Sequence, residues 1–368
     1  MNSKEISRKL TNGKRMSGMG RRQFAKTLLG LGFSLASAAH LTVDDVRAAA
    51  SDEVPIVHSF EREDPGNPES SMKAVKKNVP ADWYENLKHA EKAYNDAGIW
   101  RIPGVVSCEV RPGEYGGRNA IITAQVEKSQ KDAALEQIPS DVSGVPVEVT
   151  VGSNPQLHGC PSGDQGSDIG GGPKCTTGSG SYGTLCSPAI KNNEKHFATA
   201  AHLYANTSDE SHVYHPGDAK AAIGKKEYDN CNLDLYVADP VNGHEPRMRI
   251  EGKSADVVGQ YTQDGISDLA ANNKNGVKLG ANTCETTGQV YTANGYIGPV
   301  DKGCSDRGKQ VKGEWDGAGG DSGGPTYRYV DIDEVKILSM HHGQDPLNDN
   351  SYGFGAYHLT NKSGYWFS

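Results

Sequence analysis

Ser322 stands in Gly320-Asp321-Ser322-Gly323-Gly324-Pro325, between glycines and directly after an aspartate. A serine so placed presents its hydroxyl on a tight, exposed turn. Glycine at 320 lets the backbone N–H groups of residues 320 and 322 converge on one point without Cβ interference. Convergent amides stabilise the oxyanion of a tetrahedral intermediate, usually a large share of acyl-transfer catalysis. Such a nucleophile also needs a base, an acid to orient the base, a pocket and a route of delivery.

The hexapeptide resembles the nucleophile motif of the chymotrypsin (trypsin-like) serine proteases. In that family the base follows Thr-Ala-Ala at a strand end, which is similar to Thr199-Ala200-Ala201-His202. Among twelve histidines only His202 has this setting; His341, His342 and His358 read as structural or pocket-lining. The third member is expected on a strand between base and serine. Asp234, in Asn232-Leu233-Asp234-Leu235-Tyr236-Val237, fits, with Asp229 and Asp239 as rivals nearer turns. A charge is rarely buried among apolar neighbours unless it is paired, so Leu233, Leu235 and Val237 themselves argue for function. A buried carboxylate there would hold the imidazole tautomer and stabilise the imidazolium.

The order His202, Asp234, Ser322 is the trypsin-like one. Gly320 to Gly324 also satisfies Gly-x-Ser-x-Gly, the nucleophile elbow of lipases, with Asp345 or Asp349 and then His358 downstream. An elbow opens into a helix, however, and Gly323-Gly324-Pro325-Thr326-Tyr327-Arg328-Tyr329-Val330 is β-like. The 46 residues after Ser322 are also too few for the rest of such a sheet.

The resemblance implies further site residues. Gly276-Val277-Lys278-Leu279-Gly280 and Thr286-Thr287-Gly288 are similar to the segment before the pocket in streptogrisin-like enzymes; the flanking Cys284 and Cys304 are one candidate pair among the fifteen pairings open to six cysteines. Asp316, six residues before Ser322, would line the base of the primary pocket and favour Lys or Arg at P1, through carboxylate–guanidinium pairing. Two departures count against this preference: Ala318 replaces the usual cysteine, and His341 replaces the glycine of the pocket wall. Ser339 matches the strand that pairs with substrate, and Gly353 with Gly355 the far wall. Asp321 is expected to pair with an internal partner, a part that an arginine can play in streptogrisin-like enzymes, rather than with a new N-terminus, because no convincing Ile-Val-Gly-Gly is present; Asp168-Ile169-Gly170-Gly171 is similar only loosely.

The chain must also position and deliver these residues. It has 368 residues with 35% hydrophobic and 23% charged, enough for about two domains. Its 45 glycines favour short strands and turns. Residues 1–50 carry nine Lys/Arg against three Asp/Glu, and the rest is 29 basic against 43 acidic. That acidic body argues against nucleic acid as a partner. Residues 1–50 read as a signal peptide: Arg21-Arg22-Gln23-Phe24-Ala25-Lys26, a modestly apolar run, then Ala48-Ala49-Ala50. The paired arginines resemble a twin-arginine export signal, which implies a secreted protein folded before export, in a disulfide-permissive space. The six cysteines after residue 159 allow up to three disulfides, and their spacing suits no zinc site.

Residues 51–80 read as an extended linker. Helical spacing of Trp83, Tyr84, Leu87, Ala90, Ala93 and Tyr94, then two strands, a short helix and a strand, predicts a small α+β domain over 81–152. It resembles the domain that precedes some microbial trypsin-like proteases, which implies an intramolecular pro-domain; a permanent accessory domain is the alternative. Residues 153–181, rich in glycine, read as a linker. From 182 to 368, short apolar runs between turns predict a mostly β, chymotrypsin-like double β-barrel. The expected protein is a monomeric serine endopeptidase acting on protein or peptide substrates, without cofactor or metal. A protease-fold binding protein that is catalytically silent would carry the same letters.

Overall fold

The computed structural model describes residues 53–65, 67, 69–152, 166–205, 211–215, 221–251, 253, 255–297, 309–345 and 350–367. Residues 1–52, which include the expected signal peptide, and the stretch 153–165 lie outside them. The N-terminal part runs β1 (Glu53–Arg62), β2 (Met72–Pro80), α1 (Ala81–Ala97), β3 (Val105–Arg111), β4 (Ile121–Glu127), α2 (Lys131–Leu135), β5 (Asp141–Val142) and β6 (Val145–Gly152). Then come β7 (Asp168–Gly171), β8 (Lys174–Thr176), β9 (Tyr182–Thr184), β10 (Ala189–Lys191), β11 (Glu194–Ala200), β12 (His212–Tyr214), β13 (Ala222–Asn230) and β14 (Leu235–Pro240). The C-terminal part holds β15 (Glu245–Ile250), β16 (Ala255–Tyr261), α3 (Gln263–Ala271), β17 (Asn275–Gly280), β18 (Cys284–Ile297) and β19 (Gln310–Gly313). It ends with β20 (Pro325–Tyr329), β21 (Glu334–Asp345), β22 (Asn350–Gly355), α4 (Ala356–Ser363) and β23 (Trp366–Phe367).

Two β units carry the site. β21, β20, β17, β18, β19 and β22 pair in turn, and β22 returns to β21, so six strands close into a barrel. The other unit is an open sheet ordered β23-β10-β11-β14-β13-β12-β8-β9. Its core gathers Phe197, Leu203, Ile223 and Tyr236, with Tyr204 stacked 3.8 Å from Tyr236. A closed barrel beside a half-barrel is the chymotrypsin-like double-β architecture.

The segment 53–80 is a β-hairpin, where the sequence suggested an extended linker. β1 pairs with β2 on one side and with β16 on the other, placing Ser59 opposite Tyr261. The sequence signal is weak for a physical reason. β1 is covered on both faces, so burial runs almost unbroken and no alternation appears. β2 is a largely exposed edge rich in lysine, the composition that protects an edge from unwanted pairing. The glycine-rich stretch likewise carries β7 and β8 before residue 182. These strands are too short for a period to register.

α1 forms as its spacing predicts. Trp83, Tyr84, Leu87, Ala90 and Tyr94 form one buried face, and Gly98 closes the helix in the left-handed conformation (φ 59°) with its N–H on the Tyr94 carbonyl. That face packs against Val54, Ile56, Val110, Ile122 and Tyr296. Full burial of a side chain such as Leu87 contributes about 2 kcal/mol. The N-terminal part is also stitched to the barrel by backbone pairing of β3 with β18 (Cys108 opposite Tyr296). Ion pairs add to the seam: the buried Lys312 to Glu109 at 3.0 Å, and the partly buried pairs of Lys88 with Asp264 at 2.6 Å and Lys336 with Glu61 at 2.7 Å.

Candidate active site

The first sheet delivers base and acid together through register. Ala200 at the end of β11 pairs with Leu235 at the start of β14, so the residues just beyond them, His202 and Asp234, are neighbours. His202 sits on the single 3-10 turn Ala201–Leu203, 3% exposed. Asp234 is not on a strand. It closes the 3-10 turn Cys231–Leu233 in the left-handed region (φ 49°, ψ 35°), a conformation that aspartate tolerates better than most residues. It grips the base at several points. Its Oδ1 accepts the His202 backbone N–H at 2.7 Å, its Oδ2 lies 2.7 Å from His202 Nδ1, and its carbonyl accepts the Ala201 N–H at 3.1 Å.

A second imidazole shares this carboxylate: His342 Nδ1 lies 2.5 Å from Asp234 Oδ2. Burial alone would raise the Asp234 carboxyl. The two imidazoles and their hydrogen bonds outweigh that and hold it well below the usual carboxylate range. His202, Asp234 and His342 have the donor types of a metal site. Their N···O separations, 2.7 and 2.5 Å, are hydrogen-bond distances.

The closed barrel delivers the nucleophile, and the first sheet pins it. The Thr184 N–H donates to the Ser322 carbonyl at 2.8 Å, and the Thr184 hydroxyl to the Gly320 carbonyl at 2.6 Å. Gly323, at φ 92°, is where the units meet: a Cβ there would lie 2.3 Å from the Thr184 carbonyl and 2.4 Å from Thr199 Oγ1. Ser322 is fully buried, and its Oγ donates to the His342 carbonyl at 3.3 Å. His202 Nε2 has no hydrogen-bond partner among the described residues. The Gly319 carbonyl accepts from Asn282 Nδ2 at 3.4 Å. In a trans peptide C=O and N–H point opposite ways, so the Gly320 N–H faces away from Asn282.

The internal partner of Asp321, left unnamed by the sequence, is a lysine. Lys278 Nζ lies 2.5 Å from Asp321 Oδ2, both side chains fully buried. The same carboxylate accepts from Thr283 Oγ1 (2.6 Å), the Ala318 N–H (2.9 Å), the Asn282 N–H (2.9 Å) and the Thr283 N–H (3.2 Å). Gly280 makes the space, since a Cβ there would meet the carboxylate at 2.1 Å. Burial would raise Asp321, but Lys278 and His341 lower it on balance.

The pocket residues are placed differently from expectation. Asp316 is exposed, so it stays hydrated rather than forming a desolvated pocket base. Ser339 is buried in the barrel with its Oγ lacking a partner among the described residues. His341 braces the nucleophile turn through its backbone, accepting from the Gly323 N–H at 2.8 Å and donating to the Gly324 carbonyl at 2.7 Å. Its ring is held neutral by burial, and next by Lys278. Gly353 pairs opposite His341. It is His342, three residues beyond Ser339, that reaches the triad, and Gln344 and Ser351 that flank the 316–319 loop at Gly317. Sequence reasoning missed His342. The available signal was a His-His doublet in an otherwise buried strand, a local rule broken as functional sites break it. Cys175 and Cys186 are buried free thiols, pushed up to about 11 and about 12 chiefly by burial, so three disulfides among the late cysteines do not form. Cys231 is disulfide-bonded, and Cys304 lies outside the described residues.

Fold and site together define a protein of the chymotrypsin-like double-barrel class, with serine, histidine and aspartate gathered where the two β units meet. No protein-family model and no curated protein matches the chain. Among solved structures, it is similar to a glutamic-acid-specific serine protease described as using a histidine triad in substrate binding (18% identity, 54% of this chain, 100% of that one, TM-score 0.41). It is also similar to Cellulomonas bogoriensis chymotrypsin (13%, 55% and 98%, TM-score 0.40) and Thermobifida fusca protease A (14%, 54% and 97%, TM-score 0.39). These likenesses are too distant to carry residue roles to this chain.

Proposed function

We propose that this chain is an exported serine endopeptidase made with an N-terminal pro-domain. The observation that carries the reading is the convergence of Ser322, from the closed barrel, with the His202–Asp234 pair, from the open sheet. In the reaction Ser322 Oγ turns from the His342 carbonyl to His202 Nε2, gives up its proton there and attacks the scissile carbonyl. Asp234 balances the imidazolium. The Gly320 and Ser322 N–H groups bind the oxyanion. His202 then protonates the leaving amine, and water hydrolyses the acyl-enzyme by the reverse proton path. The β3–β18 pairing and the buried Glu109–Lys312 contact support the pro-domain reading, since they supply an edge and a counter-charge to the barrel.

A fluorophosphonate probe tests the activity. The secreted, processed protein should label at Ser322, and Ser322→Ala should not. Its N-terminal residue and mass report export and removal of the N-terminal domain. One observation favours the silent binding-protein reading: in the full chain the triad is buried and the serine hydroxyl rests on a carbonyl. Absence of labelling after processing would establish that second reading. With Asp316 exposed, a fluorogenic peptide library is the measure of P1 preference; an Arg/Lys preference abolished by Asp316→Ser would restore the basic pocket.

A further inference from the structure

His342 is the extra residue of a β-bulge. Across the β21–β22 pair His341 faces Gly353 and Gly343 faces Tyr352, so His342 has no opposite number. Bulges re-aim side chains and are common beside active sites. Here the re-aimed ring, 1% exposed at its side chain, reaches Asp234 Oδ2, the same oxygen that His202 Nδ1 approaches. It stands edge-on to His202 (5.3 Å, 86°) and to Phe354 (5.5 Å, 84°). Its carbonyl meanwhile holds the Ser322 hydroxyl. One residue therefore touches both ends of the triad.

We propose that His342 is a positioning residue that anchors Asp234 through its Nδ1–H and the resting Ser322 hydroxyl through its carbonyl. The inference rests on the protease reading above. Carboxylate oxygens accept and never donate when ionised, so both Nδ1 atoms on Oδ2 must carry hydrogen. In a neutral imidazole that leaves Nε2 bare, which is the tautomer His202 needs as a base. His342 thus helps to fix the carboxylate that fixes the tautomer. The titratable groups around its ring are His202 after β11, Asp234 before β14 and His341 on β21, with the Lys278–Asp321 pair beyond His341; β22 contributes the apolar Phe354.

The test measures kcat and KM on processed protein for the wild type, His342→Leu and His342→Asn. The asparagine amide can replace the Nδ1 donor. Leucine should lower kcat about 10- to 100-fold, as loss of an outer hydrogen bond to a functional ligand does elsewhere, with little change in KM. Asparagine should recover most of that loss. Wild-type kcat in the leucine variant would overturn the proposal, as would equal losses in leucine and asparagine variants that melt like the wild type. If leucine fails to fold, His342→Ser and His342→Ala replace it: serine keeps a donor and should retain more of kcat than alanine, and equal values would overturn the proposal. Failure of the wild type to label with fluorophosphonate sinks the protease reading itself, whereas labelling with unaffected variants sinks only the role of His342.

Discussion

Lys278 and Asp321 meet at 2.5 Å with neither side chain exposed, 43 residues apart in sequence. The aspartate beside the nucleophile is therefore held by a cation already built into the barrel wall. Lys278→Met would leave that buried carboxylate without its cation, at a cost of about 3–5 kcal/mol. Urea unfolding should report the loss, and Ser322 labelling should fall with it. A stable, fully labelled Lys278→Met protein would show that the pair holds nothing in place.

Asp234→Asn keeps the shape but can no longer hold His202 in the required tautomer. The expected loss in kcat is about 10⁴-fold, with KM nearly constant, read from steady-state hydrolysis of a peptide substrate. A loss in KM alone would assign Asp234 to substrate binding.

Gly323→Ala places a methyl group 2.3 Å from the Thr184 carbonyl and forces φ 92° on a residue with Cβ. Both effects strike where the two β units touch. The variant should melt lower and label slowly, and Thr184→Ser should not.

Acid should loosen the N-terminal seam before the barrels. Asp268 sits on α3 and accepts from Lys77 at 2.6 Å, from His58 at 3.1 Å and from Tyr115. Burial would raise its carboxyl, but these partners lower it to about 2. A depressed folded-state value means the stabilisation is present above the unfolded value, near 4, and is lost as pH falls towards 2. The amount is on the order of 2 kcal/mol. Asp268→Asn should flatten the pH dependence of stability over that window in circular-dichroism melts.

The candidate catalytic residues were the readable part of the sequence, because a nucleophilic turn and its base need fixed local neighbours. Ser322 with Gly320 and Gly323, His202 after three small residues, and Asp234 among apolar ones all stand out locally. The helix at Ala81–Ala97 was readable for the same reason, through spacing and its terminal glycine. What escaped depends on partners distant in sequence. Lys278 looks like an exposed strand residue until Asp321 folds onto it. His342 points at Asp234 only because a bulge shifts it, and a bulge leaves no pattern of residue types. β1 lost its alternation because α1 packs on Val54 and Ile56 while α3, from far along the chain, also lies against it.

The β3–β18 seam has a consequence for how the molecule comes into being. Ser107 pairs with Ile297 and Ser59 with Tyr261, so the earliest strands find their neighbours roughly two hundred residues later. Contacts of such sequence separation slow folding, because loop closure must be paid for before they reward it. During synthesis the hairpin and β3 would wait with open edges until β18 emerges. A nascent chain halted before residue 297 should therefore remain protease-sensitive in its N-terminal part, and one released beyond it should become resistant as a single cooperative unit.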